Sequence, residues 1–269
     1  MYSKPQQKGV FALFTITYPL FERGRIMKKE MLLALRDYSF GLAQLQFSNL
    51  TNGIITGCNL SAVGTRLTIA PSIFKFNEFI HIMTEPQSID CKPTEQITVV
   101  KIRFSSNNSG SDYVHYSGKV ILDANINLAD NEIELCRFKL KLGSNLRTKY
   151  VDFDDIETEY DTVNLANATW SGIEEAGIAM PILRNYAKEA LTCHLTDPWD
   201  ISFCSQCMSQ ERVHRQVIMA YLLAKDVSVP SDISNLDIYS GLAFVLRRLR
   251  GNTRPSMTKG KRKLSIEVS

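Results

Sequence analysis

A chain of 269 residues with 44% hydrophobic and 22% charged side chains has the composition of an ordinary soluble globular protein, long enough for one large core or two smaller ones. No apolar run approaches the ~18 residues that a membrane span needs, and the N-terminus lacks the short apolar core and small-residue cleavage site of a secretory signal, so a cytosolic product is expected. Beyond position 246 lie eight of the 31 basic residues but one of the 28 acids, so residues 1–246 carry 23 basic against 27 acidic side chains and the positive charge belongs to the tail.

Residues 1–9 are polar, and Val10 to Ile16 is apolar in both phases, as in a strand buried on both faces or paired with another chain. A turn-rich link from Tyr18 to Arg25 leads to Met27–Tyr38, where Met31, Leu32, Leu35 and Tyr38 keep the spacing of a short amphipathic helix. From Gly53 to Leu142 short strands alternate with Gly, Asn, Ser and Pro, over Gly53–Leu60, Arg66–Ile69, Ile73–Phe76, Phe79–Met83, Thr98–Phe104 and Tyr113–Leu122. In the strand at Thr98, Val100, Ile102 and Phe104 alternate with Lys101 and Arg103. Further on, the apolar phase is odd at Ile133 and Leu135 but even from Phe138, which predicts a bulge or break near Cys136.

The acidic stretch Val151–Asp161 reads as a boundary with a solvated face rather than a cation site. Four helices follow, started by Pro181, by Asp197 with Pro198, by Ser209-Gln210-Glu211, and by a capping box over Ser234 to Asp237, the last running to a stop at Gly251. The expected fold class is α+β: an antiparallel β-sandwich or barrel-like N-terminal domain with a small C-terminal helical domain. The expected divisions are an N-terminal strand and linker arm (1–26), a β-rich domain with a leading helix (27–160), a helical domain (161–250) and a basic tail (251–269).

Six cysteines, at 58, 91, 136, 193, 204 and 207, are scattered over a chain that needs no disulfide scaffold. The sharpest chemical candidate is Cys193, Cys204, Cys207 and His214, because Cys204 and Cys207 have the spacing of a zinc knuckle. Both fall in a predicted helix, where the tight turn of a knuckle is missing. His81, His115, His194 and His214 are dispersed, no nucleophile elbow accompanies them, and the phosphate loop of a nucleotide hydrolase is absent. No catalytic, cofactor-binding or metal residue is therefore assigned, and the chain reads as a non-enzyme. The basic tail carries no aromatic side chain for stacking on bases, which makes nucleic acid an unfavoured partner.

Three stretches carry a family resemblance: Tyr18–Arg25 with Lys28–Leu32 and Leu35–Tyr38; Gly53–Leu60 running to Ile69–Phe76; and Arg137–Leu140 through Tyr150, Asp152–Asp154 and Glu159–Tyr160. They resemble structural proteins encoded in the tail and baseplate gene clusters of phages, prophages and phage tail-like particles of Gram-positive bacteria. The second stretch is also similar to a wider theme of tail-fibre and baseplate proteins, with Ser72 standing where glycine is usual. The resemblance implies a particle component without catalysis that links or completes the baseplate of a contractile injection system and its fibres. Its partners would be other baseplate subunits and tail-fibre proteins, in a homo- or hetero-oligomer of symmetric form, made in the bacterial cytoplasm and carried on the virion or extracellular particle. The rival reading is a tail-tip protein that binds a receptor or carbohydrate, for which Tyr113, Tyr116 and Trp170 are the candidate aromatics.

Overall fold

The computed structural model describes residues 16–107, 114–230 and 232–251. The expected strand at Val10–Ile16 and the basic tail beyond Gly251 lie outside the described residues, apart from Ile16 itself. The chain divides into two units, one ending at Ser48 and one beginning at Asn49. In the first, a single helix, α1 (Lys29–Gln46), runs eight residues past the expected end at Tyr38. The Ser39 hydroxyl donates to the Leu35 carbonyl at 2.9 Å within the helix, so a residue that often ends helices is accommodated here.

The second unit is α+β. Its strands are β1 (Gly53–Gly57), β2 (Leu60–Val63), β3 (Arg66–Ile69), β4 (Ser72–Phe76), β5 (Phe79–Met83), β6 (Gln87–Asp90), β7 (Thr98–Asn107), β8 (His115–Asp123) and β9 (Glu132–Phe138). They form three small antiparallel sheets, ordered β1-β4-β5, β2-β3-β6 and β8-β7-β9, and none of these closes into a barrel. Where β1 hands over to β2, Gly57 has φ of 79°, and a Cβ there would stand 2.2 Å from the Pro71 carbonyl oxygen, so glycine is required. Ser72 needs no such freedom. Its buried hydroxyl accepts from the Cys58 amide at 2.9 Å and donates to the Ala70 carbonyl at 2.6 Å, fixing the crossing by hydrogen bonds.

The phase change at Cys136 is a bulge. Val100 pairs with Cys136 and Lys101 with Glu134, leaving Leu135 as the extra residue, and Ile133, Leu135, Cys136 and Phe138 are all buried. On β7 the alternation misleads. Lys101 alternates with the apolar residues, yet it is fully buried, with Nζ 3.0 Å from Asp123, 2.7 Å from the Asn127 carbonyl and 3.3 Å from Glu132. Glu132 also takes Arg103 at 2.6 Å. Burial works to raise the Glu132 pKa, but the Ala129 amide, Arg103 and Lys101 outweigh it and leave the carboxyl lowered.

Residues 162–177 run along the sheets before the helices begin, with bridges from Asn164 to Arg137, from Thr162 to Arg147 and from Trp170 to Ile54. Then come α2 (Met180–Ala190), α3 (Pro198–Ser209), α4 (Arg215–Ala224) and α5 (Asn235–Gly251). Asp197 caps α3 by accepting from the Trp199 amide at 2.9 Å, and Ser234 and Asp237 exchange the two bonds of a capping box, at 3.1 and 3.0 Å. The expected start at Ser209 is corrected, because α3 continues through Ser209 and His214 caps α4, its Nδ1 accepting from the Gln216 amide at 3.2 Å. Leu191 lies past the end of α2 and is half exposed.

The helices share a core with the sheets. Tyr186, Tyr221 and Tyr239 are among the largest fully buried side chains; Tyr186 and Tyr221 meet hydroxyl to hydroxyl at 2.5 Å, and Tyr221 donates to Asp200 at 2.7 Å. Buried Asp200 is matched by Lys225 at 2.7 Å, which also reaches Asp197 at 2.6 Å. The acidic stretch keeps Asp152, Glu157 and Glu159 exposed, as a solvated face would, while the residues between them anchor it. Phe153 and Ile156 are buried, and the Tyr239 hydroxyl donates to the Phe153 carbonyl at 2.9 Å. Asp154 holds Arg247 at 2.6 Å and Arg250 at 2.9 Å, Asp155 grips Arg147, and Glu159 pairs with Lys139 at 2.8 Å. The Arg147 guanidinium, helped by the Val151 amide and Thr158 hydroxyl, holds the Asp155 carboxyl at about 2 against the burial that would raise it.

Candidate functional site

The structure keeps the zinc-knuckle residues in packing roles. Cys204 and Cys207 are buried on α3, where burial pushes both thiols up to about 12, and the His214 ring is spent on capping α4. Half-buried Cys193 has its sulfur 3.8 Å from the Glu189 carbonyl. Among the described residues, no group of three or more His, Cys, Asp or Glu side chains is placed to hold a metal ion. His81 is half buried beside Phe104, their ring centroids 4.9 Å apart, and its pKa is lowered by burial.

The aromatic candidates for receptor binding separate. Trp170 is 8% exposed and bridges Ile54 and Gly177, so it belongs to the core. Tyr116 is exposed at its edge but stacks on Phe79 with centroids 4.0 Å apart. Tyr113 lies outside the described residues. Phe76 and Phe104 stack in the same way at 4.3 Å, and these rings line a cleft of about 350 Å³ together with Asn77, His81 and Asn131. The polar groups of that cleft are engaged: the Asn77 amide donates to Asn52 at 2.7 Å and the Asn131 side chain to the Phe104 carbonyl at 2.8 Å.

A wider cleft of about 530 Å³ runs between residues 148–153 and the side of α2, lined by Lys149, Asp152, Lys188 and Glu189 among others. Glu189 is committed to the Phe153 amide and to Arg250 at 2.6 Å, and the Tyr150 hydroxyl donates to the Val163 carbonyl at 2.7 Å.

The most prominent surface feature is the first unit. Tyr18, Leu20, Phe21, Ile26 and Met27 are all more than half exposed, and α1 buries none of its 18 residues although it carries Leu32, Leu35, Tyr38, Leu42 and Leu45. The sequence shows the first half of this helix through its periodicity. It hides the second half, where Ser39 and Gly41 have weak helix propensity.

The class of protein so defined is an α+β body of, among the described residues, nine strands and four α-helices, with an apolar helix ahead of it in the chain. No protein-family model matches the chain, and no curated protein matches it. Among solved structures, a crystal structure of TssK aligns over 95% of this chain and 73% of its own, at 8% identity and a TM-score of 0.40. A cryo-electron microscopy structure of the type VI secretion system TssK-TssF-TssG baseplate subcomplex contains a chain aligning over 87% of this chain and 99% of its own, at 12% identity and 0.42. A chain of the baseplate complex from the type VI secretion system gives 88% and 99%, at 11% identity and 0.32. Such scores fall short of a common fold, so function is argued from the chain's own residues.

Proposed function

We propose that this chain is a structural, non-enzymatic subunit of the baseplate region of a phage tail or contractile tail-like particle, joined to its neighbours through the N-terminal arm. The observation that carries the proposal is the run of exposed apolar side chains along residues 16–46, Tyr18, Phe21, Ile26, Leu32, Leu35, Tyr38, Leu42 and Leu45 among them. The resemblance of Tyr18–Arg25, Gly53–Phe76 and Arg137–Tyr160 to tail and baseplate proteins supports the same reading. The division into an arm (1–26), a β-rich part (27–160), a helical part (161–250) and a basic tail (251–269) belongs to this proposal, as do assembly in the bacterial cytoplasm, contacts to baseplate subunits and attachment of fibres. No described helix is long and apolar enough to cross a membrane. The burial of Trp170 removes one of the aromatics on which tip binding would depend.

The test is to purify particles from cells making either the full chain or a chain lacking residues 1–46, and to identify the subunits by mass spectrometry. The full chain should be present, and the shortened chain should fold yet be missing from particles. Normal incorporation of the shortened chain would overturn the proposal.

A further inference from the structure

The loop that joins β8 to β9 turns oxygen atoms inward onto a single point. From Asp123 it places Asp, Asn and Asn at alternate positions, Asp123, Asn125 and Asn127, and ends on Glu132, a donor order that oxygen-ligand loops use to hold a hard divalent ion. The Asp123 carboxylate accepts from the Asn125 amide at 2.9 Å, the Asn125 side chain from the Asn127 amide at 3.0 Å, and Glu132 from the Ala129 amide at 3.1 Å. So curled, the loop brings the other Asp123 oxygen, the Asn127 carbonyl and the Glu132 carboxylate together, and the Lys101 Nζ sits among them at 3.0, 2.7 and 3.3 Å. The three N–H bonds of the ammonium meet three oxygens. The loop is no EF-hand, since Leu128 stands at its sixth position and the Glu comes at its tenth rather than its twelfth.

We infer that the Lys101 ammonium is the resident cation of this loop, in the place that a bound divalent ion takes in other loops, and that removing it opens a calcium site. A carboxylate as buried as Glu132, whose side chain is 2% exposed, needs positive charge beside it. Arg103 supplies part of that charge at 2.6 Å, but its side chain is 52% exposed and it reaches the Glu132 oxygen opposite the one that faces Lys101. The centre of the ring is left to Lys101, whose side chain is wholly buried. A tethered ammonium gives the loop its charge with no binding equilibrium, so the turn from β8 to β9 holds without metal. With the ammonium gone, the donors that remain are all oxygen, the set that suits calcium rather than a softer ion. They number fewer than the six to eight that calcium takes, so water completes the shell and the affinity is low. Asp123, with its side chain 30% exposed, opens the way in.

The test compares the full chain with Lys101→Met, which keeps the apolar stem and removes the charge, and with Lys101→Gln. Each is titrated with calcium chloride by calorimetry and melted in calcium and in chelator. The wild-type chain should take up no calcium at this loop and melt at the same temperature in both. Lys101→Met should bind one calcium per chain in the millimolar range and melt several degrees higher in calcium than in chelator, as linkage requires of an ion that binds the folded state. Adding Asp123→Asn should abolish both effects. Where a variant is unfolded in chelator, calcium should restore the folded circular-dichroism spectrum. The inference is overturned if calcium neither binds nor stabilises nor refolds either variant, or if its binding survives Asp123→Asn. It is equally overturned if the wild-type chain binds calcium in a way that Asp123→Asn removes.

Discussion

Helices α1 and α5 are of nearly equal length, 18 and 17 residues, and both are amphipathic, yet α5 buries seven residues and α1 buries none. The difference lies in what their neighbours supply. Around α5 the chain provides Phe153, Ile156, Tyr186 and Leu222, and Asp154 binds two arginines of its last turns. Along α1 itself no residue is buried. An apolar helical stripe shows that a face wants cover, but not whether the cover comes from the same chain.

The largest expected effects break the body and spare the arm. Lys101→Ala strips Glu132, which is 7% exposed, of one of its two cationic partners, and leaving a buried charge short of its partner costs about 3–5 kcal/mol. Leu242→Ala, in the buried face of α5, should cost about 2–5 kcal/mol by lost burial and a residual cavity. Both are read by denaturant unfolding, where a loss under about 1 kcal/mol for either would contradict the described core. Loss of the α5 cap by Ser234→Ala should cost about 0.5–2 kcal/mol. By contrast Leu45→Ala, on the arm, should change unfolding of a monomeric sample by less than about 0.5 kcal/mol, and a core-sized loss there would erase the contrast between the helices.

A pH titration sharpens the same contrast. The Asp155 carboxyl is held at about 2 instead of its ordinary 3.8, so the folded state binds its proton later than the unfolded chain does. The stability this gives is present above pH 3.8 and is lost as pH falls toward 2. Asp155→Asn should lower the melting temperature at neutral pH and flatten its decline on the acid side. A parallel acid limb in wild type and variant would show that Arg147 does not engage this carboxyl.

Local signals were legible in the sequence. The capping box at Ser234, the cap at Asp197 and the phase slip at Cys136 each depend on residues within a few positions of one another, and each appears in the structure. The cap of α4 was missed because its capping side chain is a histidine, which lies outside the usual Ser, Thr, Asp and Asn signal. What failed was anything decided at long range. Lys101 occupies the outward phase of its strand, and only the return of Asp123, Asn127 and Glu132 over it makes that face internal. Of the acids of 151–161, Asp152, Glu157 and Glu159 are exposed, but Asp154 is drawn into ion pairs by Arg247 and Arg250, more than 90 positions away. The candidate surface was half visible: the apolar spacing begins within the expected helix, but Leu42 and Leu45 lie beyond its expected end.

The central claim is that the apolar face of α1 meets another chain in the assembled particle. Its most direct measurement places a photo-crosslinking side chain at Leu42, irradiates purified particles and maps the adducts by mass spectrometry. The account predicts adducts to another polypeptide of the particle. Adducts confined to the chain's own residues 49–251 would contradict it.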